Sequence, residues 1–125
     1  MTGIPASPAE SAPALLAAFG HALDAERAAL VDLDAEALAN ASRDKLDSLQ
    51  ALISAIGAEP ALADRYAAQL RDLAARNVAN GALLTQRRRD VLWTLRRLGL
   101  VEPDAAYGCS GQLAGTGRVR SLAQA

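Results

Sequence analysis

Aromatic residues are almost missing from this chain of 125 residues: one Phe, one Trp and two Tyr. Strong β-formers are scarce, and Ala (30) and Leu (20) fill the space they leave. Propensity therefore favours helix nearly everywhere. A single Cys cannot close an internal disulfide, and with a single His it cannot build a zinc site. Little material remains for metal, thiol or histidine chemistry, so no catalytic residue, metal or cofactor is assigned and the chain is not read as an enzyme. Half of the residues are hydrophobic (51%), which is enough to fold and argues against full disorder. The expectation is a helical interaction protein.

No basic n-region precedes an apolar stretch, the first base being Arg27. The apolar segment Ala12 to Leu23 is too short to span a bilayer and is broken by Gly20 and His21. The chain therefore reads as cytoplasmic, without direct membrane insertion. Its net charge of −1 hides an asymmetry: residues 1–72 hold 11 acids and 5 bases, residues 73–125 hold 3 acids and 8 bases. Halves folded against each other would attract, so the asymmetry needs no anionic partner.

Residues 1–9, with two Pro and a Gly, read as a disordered N-terminus, and Pro13 fits a first helical turn. Leu16, Phe19, Leu23, Leu30 and Leu33 then keep 3-4 spacing, with Glu26 in one slot. A second stripe is Leu46, Leu49, Ile53 and Ile56. The seam slips between them, a helix break or a coiled-coil stutter, and Asp32 or Asp34 suits a new N-cap. Gly57 and Pro60 mark a stop and a restart. The third stripe runs Leu62, Tyr66, Leu70, Leu73, Asn77, Asn80, Leu84, Val91, Leu95 and Leu98 before Gly99. Helices are expected at about 10–31, 35–57 and 60–98, within a helical domain at 10–99, and a Gly-rich flexible tail at 100–125. The fold class is all-α: an antiparallel long-helix hairpin or a three-helix bundle with coiled-coil-like packing. Whether 10–57 is one helix or two stays open.

Folding back at 57–60 places Asn77 beside Asn40, Leu84 against Leu33 and Leu98 against Phe19. Asn40, Asn77 and Asn80 would then form a polar seam that fixes register. Gly81 in mid-helix reads as a close approach of helices.

Trp93 lies about 200° from Val91 around the helix, away from the Val91–Leu95–Leu98 seam. It is either a partner-binding aromatic or a side chain packed beneath a separate first helix. Arg87 to Arg97 is the densest basic stretch, and a small nucleic-acid-binding protein using that face is the alternative reading. Net acidity and few aromatics for base stacking speak against it, so no nucleic acid is named as partner. The tail string Gly111 to Gly117 follows no strand, opens no helix and lacks the P-loop Lys. Cys109 has no nearby base to activate it.

The run Asn77-Val-Ala-Asn-Gly-Ala-Leu-Leu84, the helix end Leu92-Trp-Thr-Leu95 and the tail Tyr107-Gly-Cys-Ser-Gly-Gln112 resemble the FlgN family of flagellar type III export chaperones. Glu26-Arg-Ala-Ala-Leu30, Asp34 and Lys45-Leu-Asp-Ser-Leu49 are similar to its first half. The resemblance covers about residues 15–120. It departs from the family in an Ala-rich first half, a short tail and the lack of a longer leucine run after Lys45. It implies a cytoplasmic chaperone that binds the helical C-terminal region of the hook–filament junction proteins FlgK and FlgL and delivers them to the export gate. It implies a substrate surface at Leu84, Val91, Leu92, Trp93, Leu95 and Leu98, and docking to the export-gate protein FlhA through Tyr107. Spare apolar surface leaves room for a homodimer when no substrate is bound.

Overall fold

The computed structural model describes residues 7–100, which fold into helices with no strand among the described residues. The first helix, α1 (Pro8–Asp32), starts earlier than expected. Ser7 accepts a hydrogen bond from the Glu10 N–H at 3.2 Å, and the Glu10 carboxylate accepts one from the Ser7 N–H at 3.5 Å. With Pro8 in the first turn this is a complete capping box, so Ser7 to Ala9 are the ordered start of a helix. The Ser-Pro-Ala-Glu string carried that signal. Pro13 lies inside α1 rather than in its first turn, so Ala9 receives no helical N–H from it.

Residues 10–57 form two helices. Leu33 leaves α1 in the left-handed region (φ 55°, ψ 39°), and the Asp34 carboxylate takes the Ala37 N–H at 3.0 Å to open α2 (Ala35–Ala58). Leu33, expected in the apolar stripe, is 60% exposed because the helix ends before it. A leucine at this φ carries a Cβ clash that glycine lacks. Leu33→Gly therefore raises the unfolding free energy by about 0.5–1 kcal/mol, read from urea denaturation.

Gly57 remains helical, and the α2 end is capped two residues later, where the Glu59 N–H reaches the Ala55 carbonyl at 3.0 Å. The single helix expected at 60–98 is interrupted: a short α3 (Ala61–Arg65) turns at Tyr66 (φ −109°, ψ 23°) into α4 (Ala67–Arg97). Gly99 (φ 75°) stops α4, its N–H bonding the Arg96 carbonyl while the Leu100 N–H bonds Leu95, both at 2.9 Å. This is the Schellman arrangement that lets a helix end on glycine.

Among the described residues, those up to Leu84 and those from Thr85 form two compact units. In the first, α1 and α2 are antiparallel and closely approached, with Ala12, Ala22, Ala29, Ala41 and Ala55 buried along them. Small side chains at these five positions allow that approach. The α4 residues of this unit lie parallel to α1, since Arg76 reaches Gly20 and Asn80 reaches Leu23. The unit is thus a three-helix bundle, not a two-helix hairpin. Leu16, Phe19, Leu23, Leu52 and Leu73 form its centre, and Ala12, Ala55 and Leu62 a smaller cluster at one end.

The α2 stripe was read in the wrong phase. Leu49 and Ile56 pack against the core, but Leu46 and Ile53 are exposed and Leu52 is buried instead. Gly81 is likewise not a point of close approach, for a Cβ there would meet nothing within 4 Å. The close approach is at buried Gly20, where a Cβ would lie 3.5 Å from the Arg76 guanidinium and 3.6 Å from Leu73.

Candidate partner-binding surface

Two groups of side chains stand out, one inside the bundle and one on the last turns of α4. Inside, Glu26 is buried (6% exposed) on α1. Its carboxylate accepts from the Lys45 ammonium at 2.9 Å, from the Ser42 hydroxyl at 3.3 Å and from the Asn80 amide at 3.0 Å. Lys45 also donates to Asn77 at 3.0 Å, and Asn80 to the Leu23 carbonyl at 2.9 Å. A buried charge is tolerated only when paired and hydrogen-bonded, and here one network joins α1, α2 and α4.

Asn77 and Asn80 do sit in the seam. Asn40 does not, being exposed with its side-chain oxygen accepting from Arg43 at 3.4 Å. Asn77 faces Lys45, five positions beyond the expected Asn40. The reason is the connection, because α3 and the Tyr66 turn lengthen it and move the register of α4 against α2. Sequence reasoning missed Lys45 and Ser42 as partners of Glu26. The available signals were a carboxylate in an apolar slot and a single lysine in a chain whose other bases are arginine.

On the outside of α4, Val91 (45%), Trp93 (58%) and Leu98 (67%) are exposed. Leu92 and Leu95 are half-buried, as is Leu84 in the bundle unit. Phe19, the expected partner of Leu98, packs with Leu16, Leu23, Leu52 and Leu73.

The Arg97 guanidinium lies over the Trp93 ring, 4.8 Å from its centroid. Such a cation–π contact holds the ring with one face covered and its edge in solvent. Arg89 precedes Trp93 by four residues and Arg97 follows it by four, so all three share one helical face. Asp90 is the stretch's acidic residue and pairs with Arg87 at 3.5 Å. Its backbone carbonyl accepts the Thr94 hydroxyl at 2.9 Å.

His21 is exposed, and no group of three or more His, Cys, Asp or Glu side chains that could hold a metal comes together among the described residues. No helix among them is long and apolar enough to cross a membrane. Tyr107 and Cys109 lie outside the described residues. Comparison with protein-family models, curated proteins and solved structures finds no match.

Proposed function

We propose that this protein is a cytoplasmic export chaperone of the FlgN type. It binds the C-terminal helical region of the hook–filament junction proteins FlgK and FlgL through Val91, Leu92, Trp93, Leu95 and Leu98. It then delivers them to the export gate, where Tyr107 docks to FlhA. The observation that carries this reading is the exposure of large apolar side chains on more than one face of one helical segment, with Val91, Trp93 and Leu98 each 45% exposed or more. A helix with that surface fits an amphipathic partner helix, and a buried aromatic anchor is a common centre of such an interface.

The second reading, nucleic-acid binding by the Arg87–Arg97 face, rests on the arginine density of the same segment. Against it, Trp93 is the one aromatic of the stretch and its ring already carries Arg97.

The chain has one tryptophan, so its emission reports on this surface alone. Titration with a FlgK or FlgL C-terminal segment shifts Trp93 emission to shorter wavelength and saturates. Binding with unchanged emission would move the surface elsewhere.

A further inference from the structure

The charge around Trp93 says which helices this surface accepts. Arg88, Arg89 and Arg97 are exposed, Arg87 and Arg96 half-buried, and Asp90 is the stretch's acidic residue. Arg89, Trp93 and Arg97 follow one another at four-residue steps along one face, and Arg97 holds the ring at 4.8 Å. An apolar side chain resting on the free part of the indole is therefore flanked by a cation on each side. A partner with lysines or arginines there meets like charge, whereas a partner with carboxylates meets charge-assisted hydrogen-bond donors.

We propose that the Arg89–Trp93–Arg97 face selects acidic amphipathic helices, those carrying Asp or Glu about one helical turn to either side of the apolar residue that covers Trp93. The proposal rests on the chaperone reading and adds the charge pattern its substrates share. A second copy of the same segment is a poor occupant, because it brings five arginines and one aspartate against an identical set. Nucleic acid would satisfy the arginines, but the stretch offers a single aromatic for base stacking and its ring already carries Arg97.

The test uses the full chain and two synthetic helical peptides with the same Leu/Ala face, one bordered by Glu and one by Lys. Binding is read from Trp93 emission at about 50 mM salt, where screening is weak. The Glu-bordered peptide binds at least about tenfold more tightly than the Lys-bordered one, and the double variant Arg89→Glu/Arg97→Glu inverts the order. Arg89→Gln/Arg97→Gln abolishes the preference without inverting it, and far-UV circular dichroism shows all variants equally helical. Equal binding of both peptides overturns the charge selection, and so does an oligothymidine that shifts the emission when neither peptide does. A FlgK or FlgL segment titrated in parallel separates the two claims: its binding alongside equal peptide affinities sinks the selection and leaves the chaperone reading standing. Its failure to bind while the Glu-bordered peptide binds sinks the identity of the substrate and leaves the selection.

Discussion

Lys45→Met lowers the unfolding free energy by about 2–3 kcal/mol, and adding Glu26→Leu restores most of that loss. The single substitution removes the one cation beside a carboxylate whose side chain is only 8% exposed, leaving it with the Ser42 hydroxyl and the Asn80 amide. An uncompensated buried charge costs more than the pair was worth. The Lys45 side chain is 21% exposed, so water relieves part of the penalty and the upper end of the usual range is not reached. The double variant removes the charge problem, and Asn80 keeps the Leu23 carbonyl as an acceptor. Urea denaturation with an unchanged m-value would show this pattern. A loss below about 0.5 kcal/mol in the single variant would mean that the network does not hold the helices in register.

Trp93→Ala weakens substrate binding about thirtyfold, or about 2 kcal/mol, while stability stays within about 0.5 kcal/mol of the parent. Trp93 is more than half exposed, and its one described ring contact is with Arg97 on the next turn, so its removal takes little from the fold. In a complex the same ring becomes a buried anchor. Leu95→Asp acts on the neighbouring ridge and abolishes binding by setting a carboxylate where apolar area is to be covered. Isothermal titration of both variants with a junction-protein segment, beside their denaturation curves, separates binding from folding. Binding unchanged in both would contradict the placement of the surface.

The residues made some of this legible and hid the rest for identifiable reasons. Helical content follows from Ala and Leu, and the α1, α3 and α4 core positions follow from the 3-4 spacing of Leu16, Phe19, Leu23, Leu62 and Leu73. The α2 phase was ambiguous because Leu46, Leu49, Ile53 and Ile56 make as good a stripe as Leu49, Leu52 and Ile56. Burial chose the second. The register was missed because α3 and the Tyr66 turn have no proline or glycine inside them to announce a break. Asn77 and Asn80 were recognisable as seam residues, but Lys45 and Glu26 were not recognisable as their partners, since α4 meets them only once that register is known. At the surface, Trp93 was picked out by its angle from Val91. The exposure of Val91 and Leu98 could not be read from a stripe that continues, unbroken in pattern, from the bundle into the last turns.

The central claim is that the last turns of α4 hold a partner helix by apolar packing. Co-purification of the full chain with the C-terminal segments of FlgK and FlgL, at low and at high salt, tests it most directly. A complex that survives high salt is the predicted result, because apolar burial is not screened while contacts to arginine are. No complex at either salt, or one that dissolves as salt rises, would contradict it.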